Sequence, residues 1–125
     1  MSVVYDAGAL IAAERSEREV WADHRARLEA GLVPVTTAPV VAQVSRSGRH
    51  AQLRRFLRGC LVVPFGHDEG HDVGALAGRA RSDDVVDVHV VTIAHRRHLG
   101  VLTADENDLA PIARRLRPPV PVFRV

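Results

Sequence analysis

The sequence contains no lysine, and its 17 basic residues are all arginine. This absence excludes reaction classes that need an ammonium group, such as those of P-loop nucleotidases, Schiff-base enzymes and phosphate-receiver domains. The single cysteine, Cys60, cannot form an internal disulfide or a thiolate zinc site, which favours a reducing compartment. No apolar run approaches the roughly 18 residues of a membrane span, and the first residues carry no basic leader. We therefore expect a cytoplasmic protein without a membrane segment.

The 125 residues, 46% hydrophobic and 26% charged, are typical of one globular domain, residues 1–125. Short β-branched runs alternate with longer helical patterns, which is typical of an α/β fold. The predicted strands cover residues 3–5, 33–36, 60–65, 101–103 and 120–125. The predicted helices cover residues 8–15, 16–30, 39–48, 50–58, 68–79, 84–99 and 106–116. This alternation predicts a parallel sheet of about five strands, sandwiched between helices.

Two local patterns add detail to this prediction. Ser16 and Glu19 have the spacing of a capping box, which predicts the start of the second helix at Ser16. The run of apolar residues 60–65 is typical of a strand that is covered on both faces.

Acidic residues follow the predicted strands and open the predicted helices. Asp6 ends the first strand, and Asp105 and Asp108 follow the strand 101–103. Asp84 and Asp87 open the most apolar helix, and their spacing of three places both on one face. In open parallel sheets, ligands bind beyond the carboxyl ends of the strands. Carboxylates that converge there repel one another unless a cation neutralises them, and hard oxygen ligands suit Mg²⁺ or Mn²⁺.

A purely structural interpretation of these acids stays open. Aspartate is a favoured N-cap residue, and the helix dipole favours a negative charge in the first turn. The pairs Asp84/Asp87 and Asp105/Asp108 both have the spacing of a cap and the third residue of its helix. Capping can therefore explain any one acid, although it explains less well why three helix starts share one predicted edge.

A second candidate metal site is the pair His67 and His71, four residues apart. This spacing can bind zinc on a helix, but Gly70 interrupts the turn and no third ligand is evident. A solvated junction between a loop and a helix is therefore the favoured interpretation of the pair, with a metal site as the alternative.

Arginines concentrate in two stretches of the sequence. Guanidinium groups suit phosphate oxygens, so an acidic metal site between two such stretches would suit a polyphosphate backbone. Codon composition is the alternative explanation for a chain whose basic residues are all arginine. The two sets are Arg46, Arg49, Arg54, Arg55 and Arg58, and Arg96, Arg97, Arg114, Arg115 and Arg117.

Three acidic blocks of the sequence resemble the motifs of PIN domains. The blocks are residues 4–12 (VYDAGALIA), 82–90 (SDDVVDVHV) and 101–109 (VLTADENDL). The nearest group within the family is the VapC-like ribonuclease toxins of bacterial toxin–antitoxin pairs. The resemblance spans almost the whole chain, and three blocks in this order are a more specific signal than any one of them.

The resemblance implies a five-stranded parallel sheet and a hydrolase that cleaves RNA phosphodiester bonds as an Mg²⁺- or Mn²⁺-dependent endoribonuclease. It also implies a homodimer and inhibition by a cognate antitoxin protein. By position in the motifs, Asp6, Asp87 and Asp105 would hold the metal, and Asp84 would support catalysis. Contacts to the RNA substrate would come from a second set of side chains, namely Gln43, Arg46, Thr103 and Asp108.

The chain departs from the family pattern at Gln43, where the helix after the second strand usually carries a glutamate. This change removes one negative charge, and Asp84 is placed to supply the missing carboxylate. The alternative is a non-catalytic PIN-like protein that binds RNA or an antitoxin and does not cleave. The sequence does not identify the RNA that is cut, the bases at the cleavage site or the antitoxin.

Overall fold

The computed structural model describes residues 2–46 and 50–125. Within these residues the chain forms a five-stranded parallel sheet with the strand order β3-β2-β1-β4-β5. The strands are β1 (Val3–Tyr5), β2 (Val35–Thr37), β3 (Leu61–Val63), β4 (Gly100–Thr103) and β5 (Val122–Arg124). The predicted α/β sandwich is confirmed.

The helices of the described residues connect these strands. They are α1 (Ala7–Glu14), α2 (Arg18–Glu29), α3 (Ala38–Val44), α4 (Ala51–Leu57), α5 (His67–Ala80), α6 (Val85–Arg97) and α7 (Ala110–Ala113). The predicted end of the third helix at Gly48, and Arg49 of the first arginine stretch, lie outside the described residues. No helix in the described ranges combines the length and apolarity that crossing a membrane requires.

The central strand β1 organises the core and positions the site. Val4 pairs with Val35 of β2 on one side, and Tyr5 pairs with Leu102 of β4 on the other. After β1 the chain first builds the β2 side and later returns to the β4 side, so the strand order reverses at β1. In open α/β sheets, ligands bind at such a reversal, beyond the carboxyl ends of the strands. Asp6 is the residue that follows β1 at this point.

Helix α6 supplies the largest continuous part of the buried surface. Seven consecutive residues, 88–94, are buried in it. Burial of a valine or isoleucine side chain contributes about 1.5–3 kcal/mol each, so this helix is fixed firmly against the sheet. Its first turn, which carries Asp87, is therefore held in place by the core.

Three predicted features are wrong. Ser16 adopts a left-handed conformation with φ 59°, and the cap of α2 is Glu17, which makes no side-chain capping bond. The strand predicted as covered on both faces is an edge strand, with Leu61 45% and Val62 40% exposed. The helix predicted for residues 106–116 is confined to Ala110–Ala113, because turns occupy the residues before it.

Candidate functional site

Asp6 is the buried centre of the site. It is 6% exposed and caps α1, with Oδ1 accepting a hydrogen bond from the amide of Ala9 at 2.9 Å. Its Oδ2 accepts a hydrogen bond from the Thr103 hydroxyl at 2.5 Å. Burial raises the pKa of Asp6, and the hydrogen bonds from Thr103 and Ala9 oppose that rise. The carboxylate is thus fixed at both oxygens.

Thr103 positions Asp6 from the end of β4. The residue is fully buried, and its hydroxyl accepts a hydrogen bond from the amide of Asp105 at 3.0 Å while donating to Asp6. The resemblance predicts a contact between Thr103 and the substrate. Its hydroxyl is instead occupied within the protein, so its role here is to hold a neighbouring carboxylate.

Asp84 and Asp87 form the second part of the site, at the start of α6. Asp84 is the N-cap, and its Oδ1 accepts a hydrogen bond from the Asp87 amide at 3.1 Å. The capping interpretation is therefore correct for Asp84. It does not account for Asp87, whose half-buried carboxyl lies near other negative charges.

The pKa of Asp87 is raised to about 7, first by burial and then by the charges of Asp84, Asp6 and Asp108. Like charges that share a site disfavour the ionised form in this way. These four acids come from the ends of β1 and β4 and the start of α6, which are far apart in the sequence. The predicted convergence of carboxylates at one sheet edge is therefore present for this set.

Asp105 and Asp108 have different surroundings, although both follow β4. The exposed Asp105 carboxylate accepts a hydrogen bond from the amide of Asn107 at 3.0 Å, which closes a local turn. Asp108 instead contributes to the field that raises the pKa of Asp87. The predicted role of Asp105 as a metal ligand stays a prediction. Asp108 belongs to the group of acids whose charges affect one another's ionisation.

Gln43 and Arg46 lie at the end of α3, and both are predicted to contact RNA. Gln43 also stands where the family pattern has a glutamate. Gln43 is exposed in the last turn of this helix, and the exposed Arg46 lies just beyond it. Within the described part of the chain, no hydrogen bond joins Gln43 to the acids. The substrate contacts of Gln43 and Arg46 stay predictions.

The donor set suits a hydrated cation better than a closed cage. Among residues 2–46 and 50–125, no three His, Cys, Asp or Glu side chains lie close enough together to bind one metal ion directly. Mg²⁺ usually keeps several waters and uses only one or two protein carboxylates together with substrate phosphates. The excess negative charge around Asp87 and the carboxylate oxygens of Asp6 therefore fit Mg²⁺, or the similar ion Mn²⁺.

The pair His67 and His71 lies exposed in the first half of α5. No group of three metal-ligating side chains is found there or elsewhere in the described residues. The nearby acids of α5 serve a structural purpose, because Asp68 and Asp72 both form ion pairs with Arg96 of α6, at 3.9 and 2.6 Å. These contacts favour a structural role for the start of α5 over a metal site.

The sequence does not predict the buried interaction between His89 and Glu69. His89, two residues after Asp87, is fully buried, and its Nε2 forms a hydrogen bond to Glu69 of α5 at 2.7 Å. Its ring packs on Phe65 with 4.5 Å between the ring centroids. A spacing of 20 residues between partners on different helices leaves no local signal, so only the fold reveals this pair.

No protein-family profile matches the chain, and no curated protein is significantly similar to it in sequence. A toxin–antitoxin complex from Klebsiella pneumoniae contains a chain that is 18% identical with a TM-score of 0.68, covering 87% of this chain and 91% of that one. VapBC2 from Rickettsia felis, bound to a DNA fragment from their promoter, gives 13% identity and a TM-score of 0.75, covering 100% of this chain and 99% of that one.

A third similar structure is PAE2754 from Pyrobaculum aerophilum, with 13% identity, a TM-score of 0.66, and coverage of 98% of this chain and 89% of that one. At these identities the likeness concerns the fold, and the alignments extend over nearly the full length of each chain. The chain therefore has the PIN-like fold of these structures, as the resemblance of its three acidic blocks predicts.

Proposed function

We propose that this protein is a VapC-like toxin that cleaves RNA as a metal-dependent endoribonuclease in the cytoplasm. The observation that carries the proposal is the convergence of Asp6, Asp84, Asp87 and Asp108 at the carboxyl edge of the sheet, with the pKa of Asp87 raised to about 7. Such a perturbed acid in a cluster of like charges is typical of functional sites.

Asp6, Asp87 and Asp105 would hold Mg²⁺ or Mn²⁺ directly or through water, with Asp84 and Asp108 completing the negative field. Bound there, the cation would supply charge neutralisation and a water of lowered pKa. Thr103 and the Ala9 amide hold both oxygens of Asp6, so this carboxylate does not have to reorganise when a ligand arrives. The helix α6, which is buried against the sheet, fixes the position of Asp87.

Asp87 would be ionised once it holds the cation, so it is not the group that takes the proton of the attacking water. That water, whose pKa the cation would lower, would pass its proton to solvent at the exposed edge. The leaving oxygen then takes its proton from solvent at the exposed edge, where Asp108 is accessible. A phosphodiester gains one water across its phosphorus–oxygen bond, which gives two RNA fragments.

The structural neighbours support an antitoxin partner for this chain, since two of them are toxin–antitoxin assemblies. A homodimer is also part of the proposal. Light scattering at micromolar concentration tests the dimer, and a monomer mass would contradict it.

Incubation of the purified chain with single-stranded RNA tests the activity. We expect cleavage with Mg²⁺ or Mn²⁺, none with EDTA, and none for a folded Asp6→Asn variant. The non-cleaving alternative, which Gln43 favours, predicts RNA or antitoxin binding without fragments under every metal condition. Absence of metal-dependent cleavage from a folded, antitoxin-free chain would refute the proposed enzyme.

A further inference from the structure

Four arginines line one concave surface of the protein. The concavity has a volume of about 450 Å³, and its walls are formed by Arg79, Arg114, Arg115 and Arg117 around Ala80 and Pro111. All four arginines are exposed. We call this surface the arginine concavity.

Two helix ends build the arginine concavity. Arg79 lies in the last turn of α5, and Arg114 caps the end of α7. The negative end of a helix dipole favours a nearby cation, which gives Arg79 a structural reason to be there. Arg115 and Arg117 lie beyond the end of α7, so this reason does not extend to them.

The charges of the arginine concavity are not neutralised within the protein. In residues 2–46 and 50–125, the ion pairs of arginine with carboxylate are those of Arg27 and Arg96. Arg117 donates hydrogen bonds at 3.4 Å to the carbonyls of Arg114 and Leu116, which leaves its positive charge in place. Four guanidinium groups that face one space without a carboxylate repel one another until an anion binds.

The arginine concavity adjoins the acid site along two segments of chain. Pro111 follows Asp108 by three residues, and Ala80 precedes Asp84 by four. Since an extended chain spans at most about 3.6 Å per residue, the two framing residues lie within about 11 and 14 Å of those acids. One strand of nucleic acid can therefore occupy both surfaces at once.

The acid site itself repels a phosphodiester. Its four carboxylates exceed the charge of one divalent cation, so a net negative charge faces the substrate. A neighbouring positive surface offsets this repulsion and raises the local concentration of a polyanion.

We propose that the arginine concavity binds the phosphate backbone of the RNA strand on one side of the scissile bond, an assignment that rests on the proposed function. Planar guanidinium forks match phosphate oxygens in bidentate geometry. A protein partner would instead need an apolar anchor, and the concavity offers only Ala80 and Pro111.

The test measures binding of the whole chain to a fluorescent single-stranded oligoribonucleotide of about 12 nucleotides, within the site sizes of single-strand-binding folds. EDTA prevents cleavage during the titration. The variant Arg79→Gln/Arg115→Gln removes two charges and no hydrogen bond of the fold. Arg18→Gln/Arg25→Gln, on the exposed part of α2, is the matched control with the same change in charge.

We expect the concavity variant to bind at least about tenfold more weakly at low salt. The slope of log K against log salt should fall by about 1.4, since each phosphate contact to a single strand contributes about 0.7. The variant Arg79→Lys/Arg115→Lys should keep the slope and lose part of the affinity. An equal loss in the control, or an unchanged slope in the concavity variant, would overturn the proposal.

Two further outcomes separate this proposal from the proposed function. Loss of RNA binding in the concavity variant, together with no cleavage by the wild-type chain in Mg²⁺, would support the arginine concavity and refute the nuclease. Normal RNA binding with lost binding to a polyglutamate peptide would overturn the proposal in favour of an acidic protein segment.

Discussion

Replacement of Asp87 by asparagine should stabilise the folded protein at alkaline pH. The pKa of Asp87 rises from its ordinary 3.8 to about 7 in the fold, because burial and the charges of Asp84, Asp6 and Asp108 disfavour ionisation. A rise of this size corresponds to about 4 kcal/mol when the full interaction is counted. Since Asp87 is only half-buried, solvent screening reduces the expected gain to about 1–2 kcal/mol.

The dependence on pH has a definite sign. A carboxyl whose folded pKa is raised contributes its full stability below 3.8, and that contribution is lost as the pH rises through about 7. The difference in unfolding free energy between Asp87→Asn and wild type should therefore be absent near pH 3.5, grow between about pH 4 and 7, and stay constant above 7.

Urea unfolding at several pH values measures this difference. Asp83→Asn is the matched control, since Asp83 is an exposed neighbour outside the acid cluster. Saturating Mg²⁺ should reverse the order of stability, because wild type gains the binding energy of the cation and Asp87→Asn loses most of it. Equal stabilities of Asp87→Asn and wild type at pH 8 without metal would refute the electrostatic reasoning.

Four other substitutions probe the site and the core. Asp108→Asn should weaken Mg²⁺ binding and stabilise the fold at pH 8. Asp105→Asn should weaken Mg²⁺ binding without that stabilisation, because Asp105 is not among the charges that raise the pKa of Asp87. Calorimetric titration and urea unfolding measure the two effects, and an unchanged Mg²⁺ affinity in Asp105→Asn would remove Asp105 from the ligand set. Gln43→Glu should tighten Mg²⁺ binding in calorimetry if the end of α3 adjoins the cluster, and an unchanged affinity would place Gln43 outside it. His24 is buried against Tyr5, with 2.9 Å between its Nδ1 and the phenol oxygen, and burial lowers its pKa below 6.5. The free energy of unfolding should therefore fall as the pH drops below 6.5, and it should fall less steeply in His24→Gln. The substitution itself should cost about 1–3 kcal/mol of stability at neutral pH. An equal dependence on pH in both proteins would contradict a lowered pKa of His24.

Local patterns in the sequence predict the sheet and the edge at which the acids meet. Asp6 and Asp108 follow parallel strands, so the sequence predicts that both lie at the same edge of the sheet. Their proximity depends in addition on the pairing of β1 with β4. The choice between Asp105 and Asp108 is different. Both follow β4 within five residues, and only the turn closed at Asn107 determines which carboxylate lies near Asp87.

Local sequence patterns do not predict features that depend on where an element lies in the fold. The apolar strand β3 looks like a central strand, but it lies at the sheet edge, where Leu61 and Val62 stay exposed. Ser16 has the residue type of a cap, but the tight junction between α1 and α2 takes it into a left-handed conformation. In both cases packing between distant elements overrides a correct local preference.

The central claim is that the acids at the sheet edge form one electrostatic unit suited to a divalent cation. NMR titration of the Asp87 side-chain carboxyl carbon, with and without Mg²⁺, tests it most directly. We expect a pKa of about 7 for Asp87 without metal and a marked fall of that pKa when Mg²⁺ binds. A pKa near the ordinary 3.8 in the free protein, unchanged by Mg²⁺, would contradict it.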